Sequence, residues 1–293
     1  MLRLMYITNR PEIAKIAENV GVDWIFVDME FIGKDYRQGG LDTVQNHHTF
    51  EDVYNIKKVL TQSKLLVRVN PIHEELCEDS SIYRMNYPSS EEEINSVIKA
   101  GADIIMLPFF KTIDEIDTFI RIVSKGRDRY NRDVKTCLLL ETPEAANLLE
   151  QIVDISGIDM IHIGLNDMHL ALGLKFMFQL LADGSVDKWT KIIRKKGIQF
   201  GFGGLASLDG GAVPGRMILK EHYRLGSQMV IVSRAFCNTD VITNLDEIRR
   251  IFTSGITEIR NLEREISLLS VSDFDNNHDG VCKSVDDIVK NMN

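Results

Sequence analysis

Two apolar runs in this chain end on a carboxylate. LLLETPEA, residues 138 to 145, runs into Glu141, and IHIGLNDMHL, residues 161 to 170, passes through Gly164, Leu165 and Asn166 to Asp167. If the runs are adjacent strands of one sheet, their ends hold the two carboxylates close together. Hard oxygen ligands of that kind suit Mg²⁺ or Mn²⁺, with water and an oxygen-bearing substrate filling the other positions. Both motifs also read as helix caps, Glu141 with Thr142 ahead of Pro143, and Asn166 with Asp167 ahead of a following helix. Arg68, in VRVN, closes another apolar run and brings a fixed positive charge, with Asn70 beside it. The stretch VDMEFIGKDYRQGGLDTVQNHHTF, residues 27 to 50, puts Asp28 and Glu30 at the end of a further run and then stays polar up to Thr49. His47 and His48 can serve that site as proton carriers if the stretch folds back over it, and Asp35, Tyr36 and Arg37 can contact a polyhydroxy or phosphorylated substrate. A histidine pair just before an N-cap threonine fits a helix start equally well. His162 is either a core histidine or points into the same site.

The elements that must position these residues alternate. Short β-rich runs (LRLMYIT, WIFVDM, KLLVRVN, ADIIMLP, KTCLLLE, DMIHIG, IQFGFG, QMVIVS) are separated by amphipathic stretches at 11 to 20, 50 to 61, 90 to 100, 113 to 124, 143 to 155, 186 to 196 and 214 to 225. Near-continuous apolar strands alternating with helices predict a parallel sheet covered on its outer face. Eight such units predict a closed (β/α)8 barrel over 1–240. Asp28, Glu30, Arg68, Asn70, Pro108, Glu141, Asn166 and Asp167 then all fall at the C-terminal ends of strands, the barrel face where catalytic groups gather.

The bulk numbers narrow the class. A length of 293 residues with 44% hydrophobic content supports one large core. With 34 Lys+Arg against 43 Asp+Glu the net charge is −9, which speaks against nucleic acid or an anionic membrane as partner. Cys77, Cys137, Cys237 and Cys282 are scattered without a C-x-x-C, as expected of reduced thiols in a cytoplasmic protein. No run approaches the roughly 18 apolar residues that span a bilayer, and the first residues are too short an apolar stretch for a signal peptide.

Taken in order, these motifs resemble those of the HpcH/HpaI aldolase and citrate lyase family over about residues 12 to 235. Glu141 in LLET and Asp167 in GLND match the family's metal ligands. Arg68 in VRVN matches its substrate-carboxylate arginine, DMEF matches its D-x-E-H, and AGADIIMLP its fourth-strand segment. The resemblance implies a (β/α)8 barrel and a divalent-metal-dependent carbon–carbon lyase working through a pyruvate or oxaloacetate enolate. It implies Glu141 and Asp167 as ligands of Mg²⁺ or Mn²⁺, Arg68 on the keto oxygen or carboxylate, Glu30 orienting water at the metal, and Gly164, Leu165 and Asn166 receiving the substrate carboxylate. Phe31 stands where the aldolase branch has its catalytic histidine, and Leu139 where a glutamine is common, so His48 is the candidate replacement. Citrate-lyase-like cleavage of an acyl-CoA thioester, use of phosphoenolpyruvate, and a non-catalytic oxoacid-binding barrel are the alternatives.

Three segments lie outside that core reading. GFGGLASLDGGAVPG, residues 201 to 215, contains G-x-G-x-x-A but lies late in the chain and is turn-rich, which fits an anion clamp after strand seven, assisted by Ser233 and Arg234, better than a dinucleotide site. Residues 241–270 carry an apolar stripe, Leu245, Ile248, Phe252, Ile259, Leu262, Ile266 and Leu269, with Gly255 in the missing slot. That length predicts a helix exchanged between subunits of a homo-oligomer. The polar tail, 271–293, contains DNNHDGVCKSVD, in which Asp275, Asn277, Asp279, Gly280 and Asp286 fit the spacing of a calcium loop; a solvated turn is the alternative.

Overall fold

The computed structural model describes residues 1–32, 48–74 and 89–292. His47, Asp35, Tyr36, Arg37 and Cys77 lie outside the described residues. Eight parallel strands close in sequence order into a barrel: β1 (Arg3–Ile7), β2 (Trp24–Asp28), β3 (Lys64–Arg68), β4 (Ile104–Leu107), β5 (Lys135–Leu140), β6 (Met160–Ile163), β7 (Gln199–Leu205) and β8 (Met229–Val232). The strands are buried on both faces because an outer ring of helices covers them. Successive side chains alternate between the interior and that ring. Met5, Trp24, Phe26, Leu66, Ile104, Met106, Cys137, Leu139, Met160 and Met229 fill the interior. The same alternation, carried two residues further, turns Asp28, Arg68, Glu141 and His162 toward the mouth.

Register places these groups at matching heights. Asp28 pairs with Arg68 across β2 and β3, and Leu139 pairs with His162 across β5 and β6. The strand pairing continues past β6 through Gly164 N–H donating to Leu140 O at 2.9 Å, which brings Gly164 alongside Glu141. In β7 the run GFGG is strand, with a register shift between Gly201 and Gly204, so only the later part of 201–215 is loop.

The ring is α1 (Pro11–Asn19), α2 (Phe50–Val59), α3 (Ser90–Ala100), α4 (Ile113–Tyr130), the short α5 (Pro143–Asn147) and α6 (Leu149–Ile152), α7 (Leu165–Ala171), α8 (Gln179–Ala182), α9 (Ser185–Lys195), α10 (Gly215–Leu225) and α11 (Leu245–Ile266). Thr49, Thr112 and Asn244 cap α2, α4 and α11 with their side-chain oxygens, as N-cap residues do. No helix among the described residues is long and apolar enough to cross a membrane.

The C-terminal segments differ from expectation. The stripe on α11 is covered within the chain: Ile248, Phe252, Ile256, Ile259, Leu262 and Ile266 are all buried, and α11 packs between α1 and α10. Phe252 meets Tyr6 edge-on at 4.8 Å and Phe236 at 5.4 Å, and Gly255 gives the Phe236 ring its place on the helix surface. Arg260 donates to Leu2 O at 2.8 Å and to Asp23 Oδ2 at 2.9 Å, tying the helix to both ends of the α1 unit. The ring needs a helix after β8, and in the single chain α11 takes that place. Residues 271–291 form a helix, α12 (Val271–Asn291), with Ser270 and Asp273 as a capping box. A continuous helix cannot wrap oxygen ligands around calcium as an irregular loop does. Asn277 is instead buried and donates to Met217 O at 3.1 Å and Glu221 Oε1 at 2.9 Å.

Candidate active site

A cavity of about 490 Å³ opens at the C-terminal mouth of the barrel, the size of a small-ligand site. Arg68, Glu141, His48, Gly164, Leu165, Asn166 and Asp167 are in its wall, together with Asp28, His162, Ser233 and Arg234. Seven of the eight residues singled out for the site are thus brought to one place; the eighth, Glu30, reaches it through Arg68.

Arg68 is held from two sides. Its Nε and Nη2 donate to the two Asp28 carboxylate oxygens at 2.7 and 2.8 Å, and its Nη1 lies 3.2 Å from Glu30 Oε2. Burial opposes the guanidinium's charge, but Asp28 and Glu30, with Glu141 further away, outweigh it and keep the group protonated. The fork is therefore fixed in direction, with the Phe26 ring 5.8 Å below it. Asp28, which has no assigned role in the sequence reading, is its principal partner.

Glu141 is 2% exposed and carries an opposing set of influences. Burial pushes its carboxyl well up, the charges of Glu30 and Asp167 push in the same direction, and Arg68 pulls back. Its Oε1 accepts the Phe109 N–H at 3.0 Å. Phe109 has φ of 51°, a rare conformation for a bulky residue, and this turn after β4 is what aims the N–H at the carboxylate. Nothing in PFF at 108–110 announces that role, since a positive φ is expected of Gly or Asn. On the other side Gly164 gives Glu141 its room: a Cβ there would lie 2.8 Å from Glu141 Cβ and 2.9 Å from its Oε2. Asp167 lies in the first turn of α7, whose N-cap is Gly164 with no side-chain cap, so Asn166 and Asp167 stand inside the helix and do not cap it.

Crowded carboxylates of this kind are a donor set that a hard cation would relieve, so Glu141 and Asp167 fit Mg²⁺ or Mn²⁺. Among the described residues no group of three or more His, Cys, Asp or Glu side chains is arranged to hold a metal. Protein ligation would rest on this pair, with oxygens of water and substrate completing the shell, as Mg²⁺ commonly requires.

The histidines divide. His48 reaches the cavity wall, and its Nδ1 accepts the Asp28 N–H at 3.0 Å. A neutral His48 therefore carries its proton on Nε2 and acts as a donor. His162 Nε2 lies 3.2 Å from Gly203 O, which fixes its proton there; its Nδ1 is buried without a partner, and burial pushes the ring down to about 4. Phe31 is not in the wall; its N–H and that of Ile32 both donate to Asn70 Oδ1 at 3.0 Å. Asn70 is in turn held by buried Glu93, through Nδ2 at 2.8 Å. This pair, unrecognised in the sequence, pins the chain as it leaves β2.

The fold and its motifs have known counterparts. The barrel resembles an HpcH/HpaI aldolase from Desulfitobacterium hafniense DCB-2 (TM-score 0.57, 15% identity, 85% of this chain and 93% of that one). It also resembles an HpcH/HpaI aldolase/citrate lyase family protein from Burkholderia cenocepacia J2315 (0.58, 16%, 85% and 94%) and the citrate synthase SbnG (0.56, 14%, 84% and 92%). At these identities the likeness establishes the barrel. No curated protein matches the sequence. The family model for HpcH/HpaI aldolase/citrate lyase matches residues 3–177, more than half of the chain, and the chain belongs to that family.

Proposed function

We propose that the protein is a divalent-metal-dependent carbon–carbon lyase of the aldolase type, acting on a small 2-oxoacid through a pyruvate or oxaloacetate enolate. The observation that carries this reading is the convergence of Arg68, fixed by Asp28 and Glu30, with Glu141 and Asp167 on one cavity. Mg²⁺ or Mn²⁺ held by Glu141 and Asp167 would supply Lewis-acid polarisation of a keto oxygen. Arg68 would bind the keto oxygen or carboxylate and offset the charge that develops on enolisation. The backbone at Gly164, Leu165 and Asn166 would receive the substrate carboxylate. Glu30, at 3.2 Å from Arg68, would order water at the site. His48 would deliver a proton from Nε2, a role made reachable by the bond that Asp28 N–H donates to Nδ1.

The test is exchange of pyruvate methyl protons with D₂O, read by NMR in the presence of Mg²⁺ or Mn²⁺, which needs no knowledge of the aldehyde. Exchange should vanish in Asp167→Ala and Glu141→Ala. It should drop about 10²-fold in Arg68→Ala, as expected for one charged transition-state contact of roughly 3 kcal/mol. No exchange by the wild type, with oxaloacetate decarboxylation at the free-metal rate, would sink the pyruvate reading. The same cavity cleaving an acyl-CoA thioester, or using phosphoenolpyruvate as the enolate donor, would then be assayed with acyl-CoA substrates and with phosphoenolpyruvate; macrophomate synthase and the citrate synthase SbnG are both among the chain's structural neighbours.

A further inference from the structure

One cluster of ligand-type side chains has no part in this chemistry. His278 and Cys282 stand four residues apart on one face of α12. His278 Nδ1 lies 2.9 Å from Glu221 Oε2, and its Nε2 lies 3.6 Å from Cys282 Sγ. Glu221, on α10, is fully buried and held in place: Arg224 Nε donates to its Oε2 at 2.8 Å, and Asn277 Nδ2 to its Oε1 at 2.9 Å. A buried carboxylate at Nδ1 keeps the proton on that nitrogen. The lone pair of neutral His278 is therefore on Nε2, the ring nitrogen that stands beside the sulfur. Solvent reaches the pair, since the His278 side chain is 25% exposed and Cys282 is half-buried.

A nucleophilic thiol with a histidine base and a chelate for a cation share this geometry, and the surroundings separate them. The carboxylates of Glu221, Asp279 and Asp286 surround Cys282 with negative charge. That charge suits a bound cation better than an anionic nucleophile. A cation is attracted by the same carboxylates and displaces the thiol proton on binding. The spacing also fits: ligand bonds of about 2.3 Å to sulfur and 2.0–2.1 Å to nitrogen, at a tetrahedral angle, put the two atoms about 3.5 Å apart.

We propose that His278 Nε2 and Cys282 Sγ form a site for a divalent cation of the zinc class on the outside of the barrel, with Glu221 orienting the imidazole. On binding, the Sγ–H bond breaks, its proton goes to solvent and a sulfur–metal bond forms. Two side-chain ligands leave the other positions to water, so the site is weaker than a closed four-ligand one. Metal there ties the α12 helix face to the α10 carboxylate that orients it.

Titration of the reduced full chain with Cd²⁺ or Co²⁺ tests this through thiolate-to-metal charge-transfer absorption, which an all-oxygen pair such as Glu141 and Asp167 does not give. One saturable band is expected, lost in Cys282→Ser, at least tenfold weaker in His278→Gln and retained in Cys77→Ser. Circular dichroism of each variant shows that it is folded. A band that persists in Cys282→Ser, or equal affinity in His278→Gln and wild type, overturns the proposal, as does no band in a wild type whose Cys282 reacts as a free thiol.

Discussion

Gly164→Ala is the sharpest probe of the site, because it adds one methyl group at the point where two strands' ends meet. Gly164 has φ of −83°, which alanine adopts freely, so no backbone strain confuses the result. The new Cβ would lie 2.8 Å from Glu141 Cβ, 2.9 Å from Glu141 Oε2 and 3.3 Å from Leu139 Cδ1. Ordinary carbon contacts begin near 3.5 Å, so the Glu141 side chain must retreat by roughly 0.6 Å or more. Phe109 N–H, the existing partner of Oε1, stands in a turn that resists following it. Overpacking of this kind costs about 1–3 kcal/mol, and a misplacement approaching 1 Å in a positioned group costs about 10² in rate. The variant should melt a few degrees lower, keep its fold, bind Mn²⁺ at least tenfold more weakly by isothermal titration and lose about 10²-fold in pyruvate proton exchange. Mn²⁺ affinity and exchange at wild-type levels, with the expected loss of stability present, would refute the argument that Glu141 holds the metal from this position.

Other substitutions test the supports. Asp28→Asn removes the carboxylate that takes both Nε and Nη2 of Arg68, so exchange should fall at least tenfold, chiefly in KM for the oxoacid; an unchanged KM would show that Glu30 alone fixes the guanidinium. Glu93 is pushed up to about 7 by burial, against donors from Asn70 that pull it down. Its folded pKa lies above its unfolded one, so the wild type loses stability as pH rises from about 4.5 to 7, by about 3 kcal/mol at most. Glu93→Gln, which mimics the protonated form, should therefore unfold at a higher urea concentration than wild type at pH 8 and at a similar one at pH 4.5; a gap that does not grow with pH contradicts the assignment. His48→Ala should cut exchange by about 10²-fold or more if its Nε2 proton is the one transferred, and leave it intact if water serves. Gly255→Ala would overlap the Phe236 ring and should cost about 1–3 kcal/mol in urea melts, whereas no change would mean that the ring has room to move.

Much of the barrel is legible in the sequence because its signals are local. Each strand is a short apolar run that breaks on a polar residue, and those breaking residues, Asp28, Arg68, Glu141 and Asp167, are the ones that the barrel brings to one mouth. Period-two alternation is enough to send Arg68 inward once Leu66 is inward. The pairing of Asp28 with Arg68 depends instead on the register between β2 and β3, which no single strand encodes. The same holds for Phe109, whose role is a backbone N–H set by an unusual φ, and for Asn70 with Glu93, which meet only when β3 and α3 are packed. His48 is an intermediate case: its residue type marks it as a proton carrier, but its direction of action follows from the amide that occupies Nδ1.

The C-terminal segments show why a pattern of residue types is weaker evidence than its period. D-x-[DN]-x-[DN]-G matches a calcium loop only if the backbone between its ligands is irregular. Here Phe274, Asn277, Val281, Val285 and Ile288 recur at three- and four-residue steps, and Ser270 with Asp273 supplies a helix start. The apolar step outweighs the motif, since burying Val281 and Val285 against the ring requires a helix through the very residues that a calcium loop would bend. In α11 the period is read correctly, and what it leaves open is which chain covers it. An apolar stripe states that a surface is buried, not by which chain. Within one chain, the Phe236 ring on Gly255, Tyr6 against Phe252 and the Leu2 carbonyl that accepts from Arg260 cover that face of the helix.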